Sequence, residues 1–211
     1  MTLMRFLYLV LMMFAYSQVQ AGTIETHGQA AYEQCGYCHE YDGNSVMPDY
    51  PRLAGQNKHY LMKQLYDFKT AKRKGLMQAT AELLTKQDIE SVASYFSQQV
   101  MSGIRANSQL ANHELARKLY FQGDEKRNLP ACTTCHGQIS TDDTPVPKLS
   151  GQHSKYLIGQ LLLFKSGKRS NDNNRVMRDI AEKLTLSEMT ELAEFLSVQG
   201  PSRPNNIENK P

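Results

Sequence analysis

The chain has 211 residues, 40% of them apolar and none tryptophan, which suits one large or two small domains with modest cores. Lys and Arg number 24 against 21 Asp and Glu, a near-neutral balance that argues against a nucleic-acid binder driven by bulk charge. After residue 21 no segment is apolar enough to cross a membrane.

The first 21 residues stand apart. Arg5 supplies a positive start, Phe6 to Tyr16 is an eleven-residue apolar run, and Val19-Gln20-Ala21 puts small residues at the cleavage positions. This pattern predicts a signal peptide over 1–21 and a mature chain starting near Gly22. A retained membrane anchor is the alternative, though so short a run does not span a bilayer comfortably. Removal would leave 23 basic against 21 acidic residues.

Two pentads dominate the rest of the chain: Cys35-Gly36-Tyr37-Cys38-His39 and Cys132-Thr133-Thr134-Cys135-His136. C-x-x-C-H is the attachment pattern of a c-type haem, with two thiols for the porphyrin vinyl groups and a histidine for the iron. The pentads use all four cysteines, and a random arrangement of these residues would give only about 0.002 such pentads. Export fits this use. In an oxidising compartment free C-x-x-C pairs would form disulfides unless something else claims them, and covalent haem does so.

In chain order, the spacing predicts a short helix over Gln29–Gln34 leading into the first pentad. Its counterpart over Asn112–Gln122 is longer and is followed by a polar loop, Gly123 to Pro130. Further helices are predicted over Lys58–Ala71 and Ser154–Ser166. The last helix of each half opens on Thr85 with Asp88 or Thr185 with Glu188, at capping-box spacing. Ile89, Val92, Ala93 and Phe96 then fall on one face, as do Met189, Leu192, Ala193 and Leu196. No run alternates as a strand would. The polar stretch Gln98 to Ser108 reads as a linker, and the tail from Gly200, with three prolines, as disordered.

A duplication runs through this order. Pro51-Arg52-Leu53-Ala54-Gly55-Gln56 is answered 96 positions later by Pro147-Lys148-Leu149-Ser150-Gly151-Gln152. In the same register Tyr60-Leu61, Gln64-Leu65, Phe68-Lys69 and Lys72-Arg73 match Tyr156-Leu157, Gln160-Leu161, Phe164-Lys165 and Lys168-Arg169. The offset becomes 100 from Met77 and Met177 onward, through an insertion around Ser170 to Asn174. A repeat this long means two tandem domains, placed at 22–100 and 111–199, with 101–110 between them and a tail at 200–211.

His39 and His136 are the expected iron ligands on one face of each ring. Methionine sulfur is a suitable second axial ligand, and a His/Met site lies at higher potential than a His/His one. Most of the ten methionines read as packing or signal peptide, but Met77 and Met177 recur in register, 38 and 41 residues after their histidines. They are the expected second ligands, with Met47 a distant alternative at the first site. His27, His59, His113 and His153 read as solvent-exposed polar residues. Pro51 and Pro147, 12 and 11 residues after the haem histidines, are either turn prolines or acceptors whose carbonyls fix the imidazoles. Lys69, Lys72, Arg73 and Lys74, with Lys165, Lys168 and Arg169, read as solvated helix ends. A docking patch for an acidic partner, or a partner for the haem propionates, is the sharper reading.

The two C-x-x-C-H sites, the P-x-L-x-G-Q segments and the M-Q-A-T-A-E-L-L and M-R-D-I-A-E-K-L segments together resemble the cytochrome c4 family over essentially the whole mature chain. The resemblance implies an all-α protein of two cytochrome c-like domains about a pseudo-twofold axis, each around one covalent haem c with His/Met ligation. It also implies proline carbonyls bonded to the haem histidines, a periplasmic location, and electron donation to a membrane-bound terminal oxidase from an upstream donor, sometimes with loose inner-membrane association. With both axial positions filled, neither iron has a vacancy for substrate, which argues for an electron carrier. The competing readings are a peroxidase-like enzyme, a haem subunit of a dehydrogenase, and a zinc or thiol-redox protein. The last is disfavoured because 93 residues separate the cysteine pairs.

Overall fold

The structure is a computed structural model that describes residues 23–102, 113–138 and 144–200. The predicted signal peptide, most of the predicted linker and nearly all of the predicted tail lie outside the described residues. The N-terminal half contains α1 (Thr23–His39), α2 (Lys58–Lys69), α3 (Met77–Leu83) and α4 (Lys86–Gln98). The C-terminal half contains α5 (Glu114–Phe121), α6 (Ser154–Lys165), α7 (Val176–Lys183) and α8 (Leu186–Ser197). Among the described residues there is no strand, only an isolated bridge between Asp124 and Leu129.

Each half builds its own core. In the first, α1 crosses α4 while α2 packs on α3 and α4; in the second, α5 crosses α8 and α6 packs on α7 and α8. The N-terminal core centres on Ile89, Val92, Ala93 and Phe96, with Leu61 and Leu65 from α2. Its counterpart centres on Met189, Leu192, Phe195 and Leu196, with Leu157 and Phe164 from α6. These are the faces the helical spacing predicts, and both capping boxes form: Thr85 with Asp88 and Thr185 with Glu188 close them reciprocally.

The helix ends differ from expectation in ways the packing explains. The first helix continues from Thr23 through the whole pentad to His39, and Glu40 at φ 62° stops it. The helix before the second pentad is the shorter one, because Gly123 turns the chain at φ 74° into a pinned loop. A Cβ on Gly123 would sit 2.3 Å from the Leu129 carbonyl oxygen, so only glycine fits. That loop holds a 3-10 turn at Glu125–Arg127, and Arg127 reaches Glu188 on α8 at 2.7 Å. The repeated glycines Gly55 and Gly151 also lie at positive φ, 65° and 75°. Their amides donate to the Phe96 and Leu196 carbonyls, tying each P-x-L-x-G-Q segment to its last helix.

Candidate functional site

In the N-terminal half, α1 carries Cys35, Cys38 and His39 in its last turns. Cys35 is buried in the core, with its sulfur 3.2 Å from the Ala31 carbonyl oxygen. In the C-terminal half Cys132 packs against the core, and a π-helical turn, Thr134–Gln138, holds Cys135 and His136. None of the four cysteines is in a disulfide, which leaves all four sulfurs for thioether bonds.

His39 is 4% exposed, and its Nδ1 donates to the Pro51 carbonyl oxygen at 2.8 Å. His136 Nδ1 does the same to Pro147 at 2.9 Å. A carbonyl can only accept, so each ring carries its proton on Nδ1 and leaves the Nε2 lone pair for a metal. Burial lowers both imidazoles below the ordinary 6.5, with the carbonyl bond opposing it. The rings are therefore neutral, as metal ligands must be. Met77 opens α3 and packs against the core that contains Cys35; Met177, in the first turn of α7, packs against the core that Cys132 touches. Met47 is 46% exposed.

The two halves meet through the repeated polar residues. Gln152 accepts from the Arg52 amide and donates to the Arg52 carbonyl, both at 2.9 Å. Gln56 accepts from the Lys148 amide at 2.8 Å and donates to its carbonyl at 2.9 Å. Deeper in, Arg73 bonds Gln64 at 2.8 Å in its own half, then Gln160 at 2.7 Å and Tyr156 at 3.1 Å in the other. Arg169 returns the pattern to Gln160 at 2.7 Å, Gln64 at 3.0 Å and Tyr60 at 3.3 Å. The guanidiniums stack over Phe68 and Phe164, 4.5 and 4.4 Å from the ring centres.

This corrects the reading of the basic residues. Arg73 and Arg169 are 7% and 6% exposed and do not belong to a solvated helix end. Lys69 and Lys165 each donate to two backbone carbonyls of the following segment, which explains their recurrence. Lys72, Lys74 and Lys168 remain exposed. The reading of the spare histidines is also corrected in part. His153 is half-buried, and its Nε2 donates to the Ser45 carbonyl across the interface at 2.7 Å, while His113 is half-buried beside α5. His59 is exposed, and the side chain of His27 lies outside the described residues.

The interface is readable in part from the residues. Gln56, Gln64, Tyr60 and Arg73 recur with their neighbours, and a polar residue retained in both copies without a place in either core points to a shared surface.

Three features fit a covalent haem. Each half offers thiols beside a neutral histidine with a free Nε2. In each half a methionine, Met77 or Met177, packs against the core that the first cysteine of the pentad joins, so a soft second donor is at hand. Finally, neither buried guanidinium pairs with a carboxylate among the described residues. Buried cations without counterions are costly, and haem c brings carboxylates of its own.

Two helical domains, each with its own core, C-x-x-C-H site and fixed histidine, define a dihaem c-type cytochrome of the all-α class. The chain is 37% identical over 182 residues to cytochrome c4 of Azotobacter vinelandii, covering 80% of this chain and 86% of that one. The crystal structure of reduced recombinant cytochrome c4 from Pseudomonas stutzeri superposes with a TM-score of 0.75 at 38% identity, covering 85% of this chain and all of that one. A thiosulfate dehydrogenase electron acceptor of Stutzerimonas stutzeri is 32% identical over 183 residues, covering 84% of this chain and 85% of that one. No protein-family model matches the chain. The chain belongs to the cytochrome c4 family. It is an electron carrier and not an enzyme, it binds two haems c covalently, and its partners are redox proteins. Among the described residues no helix is long and apolar enough to cross a membrane.

Proposed function

We propose that this cytochrome, exported to the periplasm with 1–21 removed, carries electrons from an upstream respiratory donor to a membrane-bound terminal oxidase. It works as two domains, 22–100 and 111–199, joined by 101–110, with at most loose association with the inner membrane. The observation that carries the reading is the pairing in each domain of a neutral histidine with a methionine beside the core that its first cysteine touches. Cys35, Cys38, Cys132 and Cys135 form the thioethers. His39 with Met77, and His136 with Met177, would hold the two irons.

Bound haem supplies an iron that cycles between ferric and ferrous states. The chain's own residues hold that chemistry in place. Pro51 and Pro147 fix the tautomer and ring plane of the histidines. The methionine sulfurs favour the reduced iron. Arg73 and Arg169 would compensate the haem propionates, and the glutamine clasp holds the domains in one arrangement. With a histidine and a methionine holding each iron, no donor position would be left for a substrate.

Potentiometric titration with optical spectra tests this assignment. Two one-electron steps and a thioether-to-ferric-iron charge-transfer band are expected. Met77→His and Met177→His should each remove half of that band and lower one potential. An unchanged band in either variant would reject that methionine. The likeness to a thiosulfate dehydrogenase electron acceptor favours a second reading, in which the donor is a periplasmic dehydrogenase. Reduction of the holoprotein by purified thiosulfate dehydrogenase, set against oxygen uptake by membranes, separates the two.

A further inference from the structure

The outward faces of α3 and α7, the helices that carry Met77 and Met177, are chemically opposite. At corresponding positions α3 and its N-cap present Leu76, Ala79 and Leu83, and α7 presents Val176, Asp179 and Lys183. Spacings of three and four residues put each trio on one side of its helix. Leu76 is 90% exposed and Leu83 82%, while Val176 is 47% exposed. The α7 face is satisfied within its own domain: Asp179 pairs with Arg175 at 3.2 Å, and Lys183 donates to the Asn128 carbonyl at 2.6 Å. The α3 face has no such cover among the described residues. Its one carboxylate, Glu82, accepts from Gln78 on the same helix. Lys72 and Lys74 immediately precede the stripe in the chain, both exposed and neither in an ion pair among the described residues.

We propose that the Leu76–Ala79–Leu83 stripe with Lys72 and Lys74 is the docking surface for a redox partner protein that presents an apolar centre edged by carboxylates. This rests on Met77 serving the first haem site, and it makes the N-terminal domain the port through which electrons enter or leave. Apolar side chains at the middle of such a contact give adhesion. Unpaired lysines at its edge steer an acidic partner and raise the encounter rate, an effect that salt screens. On α7 the same contact would have to break existing ion pairs.

An acidic plastocyanin, a copper protein with an apolar patch beside carboxylates, serves as the probe with the intact holoprotein. In methyl NMR titrations the Leu76 and Leu83 resonances should shift and those of Val176 should not. The L76S/L83S variant, altered only at exposed positions, should lose roughly fivefold to tenfold in affinity, with V176S unchanged. K72E/K74E should abolish the salt dependence of association. Shifts spread equally over both domains, or an L76S/L83S variant that binds as wild type, would overturn the proposal. So would binding of the stripe to anionic vesicles but not to the copper protein, or its burial in a dimer seen by ultracentrifugation. An intact thioether band with absent docking rejects the port alone; loss of Met77 as ligand is read separately from the Met77→His spectrum.

Discussion

The two domains share a plan and differ in how they are braced. The N-terminal domain runs one helix through its haem pentad and opens α4 on a capping box whose Asp88 is only half-buried. The C-terminal domain breaks into a π-helical turn at its pentad, yet its α8 cap, Glu188, is buried and held by Arg127 from the preceding loop. Support across the interface runs the other way. Asn171, in the inserted segment, bonds Asp67 at 2.6 Å and Gln64 at 3.0 Å, and its carbonyl accepts from Lys63 at 2.7 Å. Lys63 also pairs with Asp67, where the second copy has only Gly159 and Leu163. Symmetric contacts therefore join the halves, and asymmetric ones let the second half stabilise the first.

The symmetric part should give the largest effect. Arg73→Gln or Arg169→Gln removes a buried cation that touches both domains, so each variant should lower both midpoint potentials, by an order of tens of millivolts. A shift confined to one haem would show that the arginines serve the domains separately. The asymmetric bracing of α8 should appear in acid. Arg127 holds the Glu188 carboxyl below the ordinary 4.5, with burial opposing. A depressed carboxylate pKa contributes stability that is present above the unfolded value and lost as pH falls through the folded one. Hydrogen-exchange protection of α8 should therefore fall more than that of α4 on acidification below about pH 4.5. Glu188→Gln should remove the difference. The smallest expected effect is at the insertion: Asn171→Ala should cost about 1 kcal/mol of docking, seen as faster exchange in α2 with α6 little changed.

Much of this was legible in the residues. The pentads, the repeat and the apolar faces of the last helices follow from local spacing, and the structure places them accordingly. Other features depend on what the chain meets elsewhere. Arg73 sits in a run of basic residues, and only the opposite domain decides that it alone of them is buried. α3 and α7 are two turns long, too short for a clear period, and each begins at or beside the methionine that drew notice for another reason. The bracing by Arg127 was hidden because its partner lies 61 positions away, on the far side of the second pentad.

The glutamine clasp has a further consequence. Gln56 and Gln152 reach across to the main chain of residues 148 and 52, in a reciprocal pattern where each segment gives what the other takes. That is the contact geometry of a homodimer, in which one patch meets its own copy. Joined in one polypeptide, the paired patches were released from having to stay identical. Because the clasp reads backbone, position 52 can be arginine and position 148 lysine without loosening it. On the docking proposal above, specialisation of one half as a port and the other as a brace would need no new interface, only divergence on surfaces that the clasp leaves free.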